Sequence, residues 1–500
     1  MRTPRRRRLL VGLLLSPLLT GCFASGGDDT GSPSDKGSGS RLRVALAFPP
    51  TENLSPYGAD ATLLSRLGVT EGLTALDANG SAAPALAESW TRKDDRTWLF
   101  TLREAGFQDG TDVTADTVAA ALTRATRAEP EPAALSGVTL TAKAAGDGRI
   151  SVTTAEPDPV LPLRMSSPGL AVLAPKAFAT KGAVDPVGTA TGPFELTKTT
   201  GATAATLDRF DDYWGGRAQA AGIDARFIAD GTARANALRT GEVDIAEAIP
   251  VAQAASLDKA TRRETATART TFLHLNTRTG AFKDAKLRAA ARAAADTSAL
   301  ADGVYEGHAD AGKGIYGPAL TWAEGKRVQP VGRATATAPD GTSVTLATYD
   351  NRPELPEAAQ VLKQQLEKAG FKVRLEVREY SRLESDALAG KFDAVVAARN
   401  TMLDTGDPVS VLASDYTCDG GNNLSLLCDK KVDAAVAKAE GIEDTAERQD
   451  AATAAEALIL GADAVVPLVH QRIITGVDAD VQGVLLDPYE RTLVGTGTRR

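Results

Sequence analysis

The chain has 500 residues, 43% of them hydrophobic, and a formal net charge of −8 at pH 7. Because this length exceeds what one hydrophobic core usually supports, we expect two or three domains. The negative charge disfavours a general nucleic-acid-binding function, since such a surface would repel the phosphate backbone.

The first 22 residues have the pattern of a bacterial export signal. Residues 1–8 carry five arginines, and residues 9–19 form an apolar run that is too short to span a bilayer. The run ends in Leu-Thr-Gly-Cys, which resembles a lipobox, so we predict lipidation of Cys22. Ordinary signal cleavage beside an incidental cysteine is the alternative. Residues 23–40 are rich in Gly, Ser and Asp and predict a disordered tether.

The folded body begins with strand patterns and a capped helix. Residues 41–48 alternate apolar and other side chains, and residues 97–103 have the same period of two, which is typical of strands. Residues 71–76 predict a short strand, and residues 89–91 pair with residues 97–103 in a predicted hairpin. Thr114 is the predicted N-cap of an alanine-rich helix that begins at about Ala115.

The order of short motifs in this region resembles a known family. Glu-Gly-Leu at 71–73, Pro-Ala-Leu-Ala-Glu-Ser-Trp at 84–90, Phe-Gln-Asp-Gly at 107–110 and Thr-Ala-Asp at 114–116 follow one another along the chain. Together they resemble the signature of the extracytoplasmic solute-binding proteins of family 5. These are the dipeptide, oligopeptide and nickel type that serves ABC importers. The segment at 188–196 is close to a later turn and strand of the same family.

The resemblance implies an α/β fold with two lobes, the periplasmic-binding-protein-like fold of class II. We expect lobe I to cover residues 41–270 and to contain an extra α+β subdomain at about 82–185. Lobe II is expected at residues 271–472, and residues 473–500 are expected to return to lobe I. A ligand would be enclosed between the lobes by hinge closure.

Residues 344–397 have the clearest pattern in the chain. They predict strand 344–349, helix 354–369, strand 371–377, helix 381–389 and strand 392–397 in turn, with the two helices ended by Gly370 and Gly390. This order implies right-handed crossovers and a parallel sheet. In open sheets of this kind ligands bind beyond the carboxyl ends of strands. The loop that follows the third strand is therefore the predicted ligand site.

Two carboxylates in that loop are candidates for the ligand. The spacing of Asp404 and Pro408 resembles a segment of peptide-binding members in which an aspartate receives the α-ammonium group of the ligand. The resemblance therefore implies that Asp404 binds the ligand. Asp407 is the rival, and it could instead cap the loop, as an aspartate before proline often does.

Four further residues complete the predicted ligand site. Arg399 and Asn400 belong to the same loop as Asp404. Asn53 and Tyr57 belong to the loop after the first strand, which the resemblance places near the ligand. An ordinary surface loop is the alternative for these two residues.

The remaining reactive residue types favour a binding protein over an enzyme. With Cys22 assigned to the lipobox, Cys418 and Cys428 are expected to form a disulfide in an oxidising compartment. The three histidines are scattered, and the sequence has no G-x-S-x-G or H-E-x-x-H motif. Residues 307–313 have the spacing of a phosphate-binding loop but lack the Ser or Thr that would hold Mg²⁺. We therefore predict no catalysis, no cofactor and no site for a bare metal ion.

The predicted function is that of a substrate-binding lipoprotein of an ABC importer. It would capture a small peptide or similar solute and deliver it to the permease and ATPase complex. We expect a monomer that is lipid-anchored on the extracytoplasmic face of the cell membrane. Three alternatives stay open: a hydrolase on the cell surface, a surface lipoprotein that senses a solute, and a binding protein for a chelated metal or other non-peptide solute.

Overall fold

The computed structural model describes residues 39–500 with the exception of residues 59 and 181. The predicted signal, Cys22 and residues 23–38 of the predicted tether lie outside the described residues. Within the part of the chain that is described, no helix combines the length and the apolar character that crossing a membrane requires.

The strands of the described residues form one large sheet and two small ones. In chain order they are β1 (Arg41–Leu46), β2 (Thr74–Leu76), β3 (Ala82–Pro84), β4 (Ala87–Arg92), β5 (Thr97–Leu102), β6 (Leu140–Ala144), β7 (Arg149–Thr154), β8 (Phe194–Thr200), β9 (Ala204–Arg209), β10 (Gly222–Phe227), β11 (Ile245–Ala246), β12 (Arg262–Leu275), β13 (Ala309–Ala311), β14 (Ser343–Tyr349), β15 (Lys372–Arg378), β16 (Ala394–Asn400) and β17 (Val465–Val477). The large sheet has the order β15-β14-β16-β12-β17-β11-β1-β10-β9-β8, and β13 pairs with β17.

Helices are distributed along the whole described chain. In chain order they are α1 (Ala61–Arg66), α2 (Ala115–Ala125), α3 (Leu161–Arg164), α4 (Gly231–Arg239), α5 (Val251–Ala254), α6 (Ala285–Ala294), α7 (Thr297–Ala299), α8 (Thr321–Lys326), α9 (Glu354–Lys368), α10 (Tyr380–Leu388), α11 (Pro408–Tyr416), α12 (Lys430–Glu440) and α13 (Thr445–Gly461). Short 3₁₀ turns cover Ala133–Leu135, Pro168–Leu170, Pro175–Phe178 and Ala281–Lys283, and a π turn covers Leu300–Val304. The predicted cap of α2 is confirmed, because Thr114 Oγ1 accepts a hydrogen bond from the N–H of Thr117 at 3.2 Å.

Two long strands connect the halves of the large sheet. β12 has 14 residues and β17 has 13, and they pair with each other antiparallel. At about 3.3 Å per residue each strand spans about 45 Å, which is long enough to reach across both halves. On one side β12 pairs with β16, and on the other β17 pairs with β11. These two strands are the crossovers between the halves.

The half that follows β12 confirms the predicted strand–helix alternation. β14 pairs in parallel with both β15 and β16, as the pattern of residues 344–397 predicts. Gly370 and Gly390 are the second residues after α9 and α10 and adopt φ of 106° and 78°, the conformation in which glycine ends a helix without strain. The pairing of β16 with β12 is antiparallel, so the complete sheet is mixed.

The other half contains β1, β8, β9, β10 and β11. β1 pairs in parallel with β10 and with β11. The apolar residues at 243–249 predict a strand, but the structure has only β11 there, whose two residues are flanked by Asp244 and Glu247. The backbone N–H groups of Asp244 and Glu247 still donate to carbonyls of β1, and Ala248 has a φ of 46°, so the chain leaves the ladder after Glu247.

A separate four-stranded sheet lies in the region expected to form the extra subdomain. Its order is β4-β5-β7-β6, and every pairing in it is antiparallel. Phe100, Phe107 and Val118 are fully buried in a core that joins this sheet to α2. The predicted hairpin is confirmed as β4 and β5, with Trp90 opposite Phe100.

Candidate functional site

A cavity of about 600 Å³ is lined by residues from both halves of the large sheet. Phe48 follows the end of β1 by two residues, and Ser136 comes from the extra subdomain. Arg269 comes from the crossover strand β12, Tyr349 from the end of β14, and Arg399 from the end of β16. The carboxyl ends of β14 and β16 therefore both face this cavity, where open α/β sheets bind their ligands. The prediction that Arg399 and Asn400 belong to the following loop is wrong, because β16 stays paired with β12 as far as Asn400.

Asp404 lies in this cavity, where the sequence predicts it. Its Oδ2 is 2.8 Å from Nη2 of Arg399, and its side chain is 26% exposed. Arg399 also donates from Nε to Oδ2 of Asp415 at 3.0 Å. Burial by itself would lower the pKa of Arg399, but the charges of Asp415 and Asp404 raise it, so the guanidinium is charged. The guanidinium of Arg399 thus lies within ion-pair distance of two carboxylates, those of Asp404 and Asp415.

Asp407 points away from the cavity and has a structural role. Its side chain is fully buried and binds Arg448 through two contacts of 2.7 Å. It also caps α11 by accepting a hydrogen bond from the N–H of Ser410 at 2.9 Å. From the sequence, either Asp404 or Asp407 could contact the ligand. The burial of Asp407 and its pairing with Arg448 leave Asp404 as the candidate.

Asn400 lines the cavity but its amide is committed to the protein. Its Nδ2 donates to Oε1 of Glu490 at 2.9 Å and to the carbonyl of Tyr489 at 3.1 Å. Its Oδ1 accepts from the N–H of Met402 at 3.0 Å. The side chain is 2% exposed, so Asn400 fixes the start of the loop that carries Asp404.

Arg491 fixes the same loop from the C-terminal segment. Its guanidinium donates to the carbonyls of Met402 and Leu403 at 2.9 Å and to Oγ of Ser166 at 2.9 Å. Burial lowers the pKa of Arg491 to about 10. The loop before Asp404 is therefore bound on one side to residues of the other half of the protein.

Tyr57 and Asn53 are not among the residues that line this cavity. Tyr57 is 6% exposed and packs in the core of the extra subdomain, where burial raises its pKa to about 12. Asn53 is exposed and has a φ of 53°. Asparagine tolerates the left-handed conformation in turns, which explains why an asparagine occupies position 53.

Sequence reasoning missed Arg352, which also lines the cavity. Its guanidinium carbon lies 5.3 Å from the ring centroid of Phe48. No carboxylate lies within ion-pair distance of it among residues 39–500 other than 59 and 181. Burial and the nearby charge of Arg269 lower the pKa of Arg352. Arg352 follows β14 by three residues, so the rule about carboxyl ends, applied to β14 as well as to β16, would have found it.

Arg269, also missed, is neutralised by a buried partner. Its Nε and Nη2 lie 2.9 Å from the two carboxylate oxygens of Glu490. Glu490 is in turn 3.9 Å from Arg66, which binds Glu247 at 3.0 Å. This alternating set of charges joins β12 to the C-terminal segment and to α1. Within the part of the chain that the structure describes, Arg352 is an arginine of the cavity without a carboxylate at ion-pair distance.

The predicted disulfide is present beside this site. Cys418 and Cys428 are joined with an S–S distance of 2.03 Å, and Asp419 and Gly420 within the loop they close line a second cavity of about 750 Å³. This second cavity shares Arg399 and Asp404 with the first. The described residues contain no group of three or more His, Cys, Asp or Glu side chains that could hold a metal ion.

Comparisons with known proteins find relatives over most of the chain. The sequence profile of the bacterial extracellular solute-binding proteins, family 5 middle, matches residues 81–423. The chain is 27% identical over 465 residues to the glutathione-binding protein GsiB of Shigella dysenteriae serotype 1, which covers 87% of this chain and 90% of that protein.

Solved structures share the fold at low sequence identity. The dipeptide-binding protein of Pseudoalteromonas sp. SM9913 in complex with Met-Leu has a TM-score of 0.78 at 18% identity, covering 92% of this chain and 99% of that chain. NikA of Staphylococcus aureus in complex with Ni(L-His)2 has a TM-score of 0.76 at 21% identity, covering 92% of this chain and 100% of that chain. The predicted two-lobed α/β class is therefore confirmed.

The matched residues extend over more than half of the chain, from the four-stranded sheet to the loop that holds the disulfide. Proteins of this kind are the substrate-binding components of ABC importers. The chain belongs to family 5 of the bacterial extracellular solute-binding proteins.

Proposed function

We propose that this solute-binding protein captures a small peptide in the cavity between its halves. The observation that carries the proposal is the arrangement of charge. Arg399 faces two carboxylates, so a ligand ammonium beside Asp404 would balance the charge of that group. Arg352 has a guanidinium that a ligand carboxylate would balance. A zwitterionic peptide supplies both charges, whatever its side chains are.

The relatives support a solute of this class. The curated relatives of the chain include a protein named for glutathione, and a structural neighbour holds the dipeptide Met-Leu. A peptide of two or three residues would fit a cavity of about 600 Å³, since ligand pockets of this class commonly have about 300–1,000 Å³. Asp404, Arg399 and Arg352 are the residues proposed to contact the charged ends of the peptide.

Attachment to the membrane is part of the same proposal. The apolar run that ends in Leu-Thr-Gly-Cys supports lipidation of Cys22, and the polar residues that follow would leave the folded body free to reach a permease. We propose a monomer that is lipid-anchored on the extracytoplasmic face and delivers its peptide to the permease and ATPase complex.

The test is to identify the ligand and then to measure its affinity. Mass spectrometry of the denatured purified protein would identify any solute that co-purifies with it. Calorimetry should then detect binding of Met-Leu or glutathione and much weaker binding of N-acetyl-Met-Leu. Tight binding of Ni(L-His)2 with no binding of either peptide would contradict the proposal and favour a chelated metal as the solute.

A further inference from the structure

The three histidines of the chain differ in how their ring nitrogens are bonded. His470 has both nitrogens engaged, with Thr270 Oγ1 at 2.8 Å from Nδ1 and the N–H of Lys313 at 3.2 Å from Nε2. Nδ1 of His308 lies 3.0 Å from Oε2 of Glu264. Nδ1 of His274 is buried and has no hydrogen-bond partner among the described residues. Only His274, of these three, also lines the 600 Å³ cavity.

A rigid aromatic setting holds the ring of His274. The residue lies on β12, paired with Val395 of β16 and Val465 of β17. Its ring stacks on Tyr416 at a centroid distance of 6.5 Å and meets the edge of Phe272 at 5.7 Å. Because both neighbours are fully buried aromatic rings, the orientation of the imidazole is fixed before a ligand arrives.

The unpartnered nitrogen is costly for the protein unless something else bonds to it. A buried polar atom without a hydrogen-bond partner lowers the stability of the folded protein, because it has lost its bonds to water. An apolar residue at the same position would not carry this cost. Burial lowers the pKa of His274 to about 3, so the ring is neutral near pH 7. A neutral imidazole offers one N–H donor and one lone pair that accepts. Such a ring suits an uncharged polar group better than a charged one.

We propose that His274 is a specificity-determining residue that hydrogen-bonds an uncharged amide group of the bound solute. The proposal rests on the proposed function, in which Asp404 and Arg352 hold the two charged ends of a peptide. With both charged ends of the ligand paired, its peptide bond is the polar group that still needs a hydrogen-bond partner. His274 provides such a partner on a fixed strand at the wall of the cavity, so solutes without an amide should bind less well.

The test compares two substitutions at His274 with one at His308. Calorimetry with Met-Leu and with glutathione should give an affinity about 10- to 100-fold lower for His274→Leu, because the ligand amide loses its partner. The ligand-free melting temperature of His274→Leu should be unchanged or higher, since the unpartnered nitrogen is removed. His274→Gln keeps a donor and an acceptor and should recover part of the affinity. His308→Gln should bind like the wild type.

Nuclear magnetic resonance of ¹⁵N-histidine-labelled wild type gives a second readout. Saturation with Met-Leu should move the ring nitrogen resonances of His274 and leave those of His308 unchanged. Unaltered affinity in His274→Leu, or unmoved resonances when the peptide is bound, would overturn the role of His274 while leaving peptide binding intact. If the wild type binds neither Met-Leu nor glutathione, the peptide proposal fails, and the role of His274 fails with it.

Discussion

Nη2 of Arg399 lies 2.8 Å from Oδ2 of Asp404, so the carboxylate that is expected to bind the ammonium group of the ligand already has a cationic partner. The same guanidinium is shared with Asp415, which is almost fully buried. Both carboxylates line the cavity, and Asp404 is the more exposed of the two, at 26% against 3% for Asp415. The pair therefore keeps Asp404 in place without neutralising both carboxylates.

Substitution of Asp404 tests its role in binding the ammonium group. Asp404→Ala should lose about 2–5 kcal/mol of binding energy for Met-Leu, because the ligand ammonium would be enclosed without a partner. Acetylation of the peptide should cost a similar amount in the wild type. The two losses should not add, since each removes the same pair. Calorimetry of both proteins against both peptides measures all four values.

Asp419 offers a matched control for that cycle. It is an exposed carboxylate that lines only the neighbouring cavity, and Asp419→Ala should leave the affinity for Met-Leu unchanged. Additive losses in the Asp404 cycle, or equal effects of Asp404→Ala and Asp419→Ala, would remove Asp404 from the ligand site.

The pair between Asp407 and Arg448 should matter for stability. Asp407→Asn leaves the guanidinium of Arg448 buried beside a neutral amide, and the free energy of unfolding should fall by about 3–5 kcal/mol. Urea unfolding measures this loss. Asp429→Asn alters another helix cap, that of α12, and should change stability by less than about 1 kcal/mol. Equal effects of the two substitutions would contradict a special role for the buried pair.

Glu490 should make the protein sensitive to acid. Burial by itself would raise its pKa, but Arg269, with smaller contributions from Arg352 and Arg66, lowers the pKa from 4.5 to about 2. The stability that this carboxylate contributes is present above about pH 4.5 and is lost as the pH falls towards 2. By linkage it amounts to roughly 3 kcal/mol.

Unfolding measured across pH 2–6 in the wild type and in Glu490→Gln would test this. The wild type should be the more stable at pH 6, and the difference should shrink as the pH falls, because the glutamine does not titrate. A difference that is constant with pH would show that the carboxylate of Glu490 has its ordinary pKa in the folded protein.

The disulfide should stabilise the protein without determining its fold. Cys418 and Cys428 are separated by 10 residues, and a loop of this length contributes roughly 2–3 kcal/mol by restricting the unfolded chain. The double substitution Cys418→Ser and Cys428→Ser should therefore lower the melting temperature and keep the circular dichroism spectrum. A reductant should lower the melting temperature of the wild type alone. Equal sensitivity of both proteins to reductant would refute this role.

Lipidation can be tested directly at Cys22. Cys22→Ala should abolish labelling with a radioactive fatty acid and move the protein from the detergent phase to the aqueous phase, because no thiol is left to carry the acyl chains. Ser25→Ala, three residues further on, should behave like the wild type. Normal labelling of the Cys22→Ala protein would show that the lipobox assignment is wrong.

Local patterns were sufficient to predict much of the fold. The alternation of apolar residues predicts β14 and β15 to within one or two residues, and the glycines at 370 and 390 predict the ends of α9 and α10. These features depend on neighbours within a few positions, which is why sequence alone determines them. The same logic overextended the strand at 243–249, where Ala248 adopts a φ of 46° that interrupts the extended backbone.

The site depended on partners that are far apart in the chain. The sequence placed Asp404 after a strand end, but only the tertiary structure decided that Asp407 is buried by Arg448 and that Asn400 is held by Glu490. Arg352 has a local signal in its position after β14, but its lack of a carboxylate partner among the described residues is visible only in the folded protein. His274 carries no local signal, because what distinguishes it is a buried ring nitrogen without a partner among those residues. Pairing and burial of a side chain depend on residues tens to hundreds of positions away, and only the folded chain brings those residues together.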